Sequence, residues 1–74
     1  MSYTFQYAEV LELKKACAEH FPDHVHFHDG CGGQYFSLDE ENDALCGFIV
    51  GYFAERGLTA EFTSGGTVFT VSKN

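Results

Sequence analysis

Residues about 6–38 of this chain can be laid over residues about 40–72. Ala18-Glu19 falls against Ala54-Glu55, Phe27 against Phe62, Gly32-Gly33 against Gly65-Gly66, and Phe36-Ser37-Leu38 against Phe69-Thr70-Val71. The offset drifts from 36 to 33 residues through small gaps. Self-similarity of this kind reads as an internal duplication. A single domain, residues 1–74, made of one unit used twice has few ways to fold.

The unit is helix, strand, strand. In the first half Val10, Leu13, Cys17 and Phe21 recur at three- and four-residue steps, with Leu11 and Ala16 widening the stripe. That spacing predicts a helix over 6–20, ended by Pro22. A strand at 24–28, a turn at 29–33 and a strand at 34–38 follow. In the second half Asp39 is the expected N-cap, with Glu40, Glu41 and Asp43 suited to the positive end of a helix. Leu45, Phe48, Ile49, Tyr52 and Phe53 then mark a helix running to Arg56, with Gly57 at its C-terminal stop. Strands at 58–63 and 67–72, joined by Ser64-Gly65-Gly66, complete the unit.

Two such units give an α+β fold: a two-layer sandwich, αββαββ and pseudo-duplicated, with a mainly antiparallel four-stranded sheet and both helices on one face. Period-two alternation sends Val25, Phe27, Phe36, Leu38, Leu58, Ala60, Phe62, Phe69 and Val71 toward the helices. It sends His24, His26, His28, Tyr35, Ser37, Thr59, Glu61, Thr63, Val68 and Thr70 to an open face. A two-fold relation between the units pairs either their first strands or their second strands at the sheet centre, and the pattern leaves both orders open.

A chain of 74 residues buries only about 60% of its unfolded surface. Its 45% hydrophobic and 16% aromatic content supplies the bulk that a small core needs. Four basic residues stand against eleven acidic ones, a net charge of −7. Lys14, Lys15, Arg56 and Lys73 form no stripe, so phosphate backbones and anionic membranes are excluded as partners. The first residues carry no signal-peptide pattern and no apolar run reaches membrane-spanning length. Cys17, Cys31 and Cys46 are odd in number and widely spaced, unlike a disulfide framework. The expectation is a cytoplasmic protein with free thiols.

The chemistry-bearing residues gather at one place. His24, His26 and His28 alternate with Val25 and Phe27, and Asp29-Gly30-Cys31-Gly32-Gly33 follows. Imidazoles two apart on a strand can converge on one ion, and neutral imidazole suits zinc, copper or nickel. Cys31 or Glu61 is then the candidate fourth ligand of a closed zinc site. The bland alternative is a row of polar residues on a wet sheet face. For Cys31 the functional reading is a nucleophile or soft-metal ligand whose thiolate His28 stabilises. The bland one is a flexible turn that happens to hold a thiol. Cys17 and Cys46 read as core filler. Asp29 is placed either to orient His28 or to receive turn N–H groups. The acidic run 39–43 lacks calcium-loop spacing. Gly47 and Gly51, four apart inside the second helix, ask for another helix at close approach, either the first helix or a partner's. No Ser/His/Asp ordering, Walker loop or paired catalytic carboxylate is present.

The segment His28-Asp29-Gly30-Cys31-Gly32-Gly33-Gln34 resembles the Arg-Asp-Ala-Cys motif of the RDAC family of short bacterial proteins. The chain departs from it at His28, where the family has Arg, and at Gly30, where it has Ala. The resemblance extends to overall length and to the Phe36 strand. It implies that Asp29 and Cys31 form the feature of interest, and it carries no activity with it. Cys31-Gly32-Gly33 through Phe36-Ser37-Leu38-Asp39-Glu40 is similar to the first cysteine segment of HesB-type, A-type iron–sulfur carriers. Those carriers use two further cysteines near the C-terminus, where this chain has Gly65-Gly66-Thr67-Val68-Phe69-Thr70-Val71, so the likeness is that of a strand–loop pattern.

These readings converge on a small cytoplasmic binding module, not an enzyme. Its working edge is the loop 29–33, with Asp29, Cys31, Gly32, Gly33 and Gln34 as the loop residues that meet a ligand. Its partner is a small ligand, a protein or its own copy in a homodimer, with no cofactor required. The alternative is a transition-metal or thiol-redox protein using Cys31 with His24, His26 and His28, with zinc or another transition metal bound. A thiol enzyme lacks a base and an orienting group.

Overall fold

The computed structural model describes residues 3–30 and 33–73. Its elements run α1 (Tyr7–His20), β1 (Val25–Gly30), β2 (Gly33–Leu38), α2 (Asp43–Ala54), β3 (Leu58–Thr63) and β4 (Val68–Lys73), with a 3-10 turn at Ser64–Gly66. The order is the αββαββ that the sequence pattern demands. All strand pairs are antiparallel and the sheet order is β1-β2-β4-β3. The second strands of the two units therefore meet at the centre, which the pattern left open. No helix is long and apolar enough to cross a membrane among the described residues.

Helix α1 starts where Glu9 reaches back: its carboxylate accepts from the Gln6 N–H at 2.9 Å, satisfying a donor the helix cannot. Helix α2 starts later than expected. Its cap is Asn42, whose side chain accepts from Leu45 N at 3.1 Å; Asp39 lies three residues outside and serves another purpose. Helix α2 also ends at Ala54, two residues short of Arg56, and Gly57 takes φ 73° just beyond it. That left-handed conformation favours glycine.

One row of phenylalanines crosses the whole sheet on its helix side. Phe27 pairs with Phe36, Phe36 with Phe69, and Phe69 with Phe62, one ring from each strand. Neighbouring ring centroids lie 5.0, 4.8 and 4.8 Å apart. The two central rings are fully buried and the two edge rings partly so. Val10, Leu13 and Cys17 of α1 and Leu45, Ile49 and Phe53 of α2 close over this row in a single cluster. Burying each such side chain stabilises the fold by about 1.5–3 kcal/mol.

The core holds one residue the sequence pattern did not indicate. Strands β2 and β4 pair only at Phe36↔Phe69 and Ser37↔Val68. Beside that short ladder the segment before α1 is tied to both strands. Tyr3 N–H donates to Val71 O at 3.2 Å, and the Phe5 backbone bonds the Gln34 side chain. Phe5 is buried and meets Phe27, Phe36 and Phe53 edge-on.

Gly47 and Gly51 are exposed, and a Cβ added to either would meet nothing within 4 Å. The first helix therefore does not approach them, contrary to one of the two expected reasons for glycine there.

Candidate functional site

The β1–β2 hairpin presents two different faces, and its register decides which residues share one. Pairing runs from Val25↔Leu38 to Gly30↔Gly33, so the turn is narrower than the expected 29–33. Asp29, Gly33 and Gln34 belong to the ladder. Cys31 and Gly32, the centre of the expected working loop, lie outside the described residues. Gly33 takes φ 109°, as expected for a glycine beside this turn.

On the open face His26 stands opposite Ser37 and His28 opposite Tyr35. The His28 ring lies flat on Tyr35, with centroids 4.5 Å apart and planes 11° off parallel. Its Nε2 is 2.8 Å from Ser37 Oγ. His26 Nε2 is 2.9 Å from Asp39 Oδ1, just past the end of β2. Asp39 thus binds a sheet histidine rather than capping α2. Both members of this pair are about half exposed, so the contact adds little to stability.

His24 precedes β1 and is exposed. It lines a shallow cleft of about 200 Å³ with Pro22, Asp23, Asp39 and Glu40. Asp23 there accepts from Asn42 Nδ2 at 2.7 Å, which ties the cleft to the start of α2. The histidines 24, 26 and 28 therefore keep separate company. Among the described residues no three His, Cys, Asp or Glu side chains gather as a metal-holding group. Glu61 is on β3, at the opposite edge of the sheet from β1. Three strand spacings, about 14 Å, separate those edges, too far for Glu61 to share an ion with the histidines.

Asp29 and Gln34 face the other way. They are register partners on the helix side, with Gln34 Nε2 3.5 Å from Asp29 Oδ2. The same Gln34 amide grips Phe5: its Oε1 accepts from Phe5 N at 2.6 Å, and its Nε2 donates to Phe5 O at 3.3 Å. Asp29 consequently does not orient His28. The alternation Gln34, Phe36, Leu38 already signals this side for Gln34. Nothing in the sequence announces that Phe5 would be its partner, because the contact spans 29 residues.

The thiols that are described behave as core. Cys17 is buried, and burial pushes its thiol from the ordinary 9.0 up to about 11. Cys46 is half-buried, and its Sγ contacts Gly66 O at 3.6 Å, linking α2 to the β3–β4 turn. Burial raises its thiol as well, opposed by the hydrogen bond from the Asn42 backbone and reinforced by Asp43 and Glu41. A raised thiol is a poor nucleophile at neutral pH.

No family model, no curated protein and no solved structure matches this chain.

Proposed function

We propose that this chain is a small binding module whose working surface is the open face of its sheet together with the adjoining β1–β2 turn. The observation that carries the reading is the charge content of that face. Its outward strand positions are His26, His28, Tyr35, Ser37, Thr59, Glu61, Thr63, Val68, Thr70 and Ser72. Glu61 is the one Asp, Glu, Lys or Arg among them, in a chain with 15 such residues. Depletion of charge, with Tyr35 stacked on His28 at the hairpin end, is one mark of an interaction surface. The acid that covers the rest of the molecule keeps nucleic acid and anionic membranes away.

The test is a binding comparison between variants. A partner recovered from a cytoplasmic extract by the wild-type chain is lost with Tyr35→Lys and retained with Val50→Lys, which lies on the helix side. Equal recovery by both variants removes the open face from the reading.

The duplication belongs to the same proposal. It is supported by the pairing of Phe36 with Phe69, which are equivalent positions of the two halves and register partners at the sheet centre. An internal two-fold axis through an antiparallel pair sets the residue on the axis opposite its own equivalent, as Phe36 is set opposite Phe69. The likeness to the RDAC family adds Asp29 and Cys31 as the feature at the working turn.

A second reading is supported by His26 and His28 sharing one face, His28 three positions before Cys31 in the sequence. In it the hairpin binds zinc or another transition metal, or works as a thiol-redox element, through Cys31 with those histidines and His24. Reaction of the three thiols with an alkylating reagent, followed by peptide mapping with and without zinc, tests it. Zinc protection confined to Cys31 supports metal binding, and unchanged modification of Cys31 removes it.

A further inference from the structure

We propose that the gap between β2 and β4 is a recognition site for an extended peptide of the form aromatic-x-aromatic, which residues 3–5 of this chain occupy as a built-in ligand. The site lies on the helix side of the sheet and is independent of the open face.

The register locates it. Strands β2 and β4 are partners at Phe36↔Phe69 and Ser37↔Val68. Continued by two residues, the same register would set Gln34 opposite Val71. Among the described residues the pairing stops short of that point, and residues 3–5 bridge the two positions instead. Tyr3 N–H donates to Val71 O at 3.2 Å. The Gln34 amide takes both backbone groups of Phe5: its Oε1 accepts from the N–H at 2.6 Å, and its Nε2 donates to the carbonyl at 3.3 Å. A side chain that satisfies the N–H and the C=O of one residue does for a peptide what a neighbouring strand does, whatever the peptide's sequence.

Side chains add the selectivity. Burial alternates along the segment, with Tyr3 half-buried, Thr4 exposed and Phe5 buried. That is the pattern of a strand with one face on a core, and it leaves the middle position free to vary. The Phe5 ring is edge-on to Phe27 of β1, Phe36 of β2 and Phe53 of α2, so three elements build its seat. Tyr3 packs edge-on against Phe5, and its hydroxyl donates to Glu9 of α1. Asp29, 3.5 Å from Gln34 Nε2, sets a carboxylate beside the clamp and disfavours an acidic peptide.

The groups that hold residues 3–5 all lie outside that segment, so the same segment supplied separately meets the same contacts. What it lacks is the covalent link through Gln6 to α1. A short link of that kind gives the resident copy an effective concentration on the order of millimolar. An external peptide therefore gains access once the resident ring is removed.

The test is titration of the whole chain carrying Phe5→Ala with the blocked peptide acetyl-Ser-Tyr-Thr-Phe-Gln-amide, followed by amide NMR. Expected are saturable shifts at Gln34, Phe36 and Val71, with weaker binding to the wild-type chain. Replacing the peptide's phenylalanine by alanine weakens binding at least about tenfold. Methylating that residue's nitrogen, which removes the donor to Gln34, weakens it roughly three- to tenfold. No saturable binding up to millimolar peptide overturns the proposal, as does binding indifferent to both changes in the peptide. Should Phe5→Ala be unfolded on its own, circular dichroism during the same titration decides. Refolding driven by the phenylalanine peptide and not by the alanine one supports the site, and no refolding overturns it.

Discussion

Phe36 and Phe69 stand directly opposite each other on the two central strands, their rings 5° from parallel and their centroids 4.8 Å apart. The pair sits where, among the described residues, β2 and β4 are in register, so it joins the two halves of the molecule. Both rings are buried in the core cluster, with Phe5 edge-on to Phe36 and Phe53 of α2 against Phe69.

Truncating either central ring will cost more than truncating an edge ring. Phe36→Ala and Phe69→Ala each destabilise by about 3–5 kcal/mol, enough to unfold a domain of ordinary stability. Phe27→Ala and Phe62→Ala, partly exposed, cost less. Urea unfolding of the four variants gives the ranking, and milder Phe36→Leu and Phe69→Leu changes keep the measurement in range. A double-mutant cycle on that milder pair reads their coupling directly.

Gln34→Ala removes both bonds that hold the Phe5 backbone. The expected loss is about 1–3 kcal/mol, with hydrogen exchange at the Phe5 amide accelerated more than in the β3–β4 ladder. Gln34→Glu keeps the acceptor for Phe5 N but loses the donor for Phe5 O and sets a second carboxylate beside Asp29. It is therefore also destabilising, and more so at neutral pH than under acid conditions. An unchanged Phe5 amide in either variant would show that the strap is held by Phe5's ring alone.

Gly47→Ala and Gly51→Ala will stabilise the monomer. Both positions are helical and exposed, with open space where a Cβ would go, so about 0.8–1 kcal/mol of helix propensity is gained at each. Thermal unfolding at fixed protein concentration measures it. Destabilisation by either alanine would mean that something outside the chain packs against α2.

Alkaline pH will weaken the fold through its buried thiol. Burial raises the Cys17 thiol from 9.0 to about 11 and raises Cys46 and Tyr52 in the same direction. Between those values the folded chain holds a proton at Cys17 that the unfolded chain has lost. Stability is therefore intact below about pH 9 and falls as pH rises toward 11. Urea midpoints across this range will slope downward, and Cys17→Ala will flatten the slope whatever its effect on absolute stability. Alkylation below pH 9 should leave Cys17 untouched until denaturant is added.

What was legible beforehand was whatever depends on neighbours in sequence. The period of apolar residues located both helices and all four strands, and alternation placed Val25 and Phe27 inward with His26 and His28 outward. It fails where one short-range signal competes with another. Asp39 and Asn42 are both good caps, and the choice went to Asn42 because Asp39 is within reach of His26 across the sheet. The glycines around Cys31 suggested a turn over 29–33, yet antiparallel pairing continues through Gly30 and Gly33 and takes Asp29 into the ladder.

By itself the sequence determined the αββαββ order and the inward and outward faces of the strands, since each follows from local spacing and side-chain type. Only tertiary structure decided that β2 and β4 meet at the centre, that Phe5 enters the core beside them, and that Gln34 holds it there. Those outcomes turn on contacts between residues some thirty positions apart, where burial of aromatic surface and satisfaction of backbone donors outweigh any local preference.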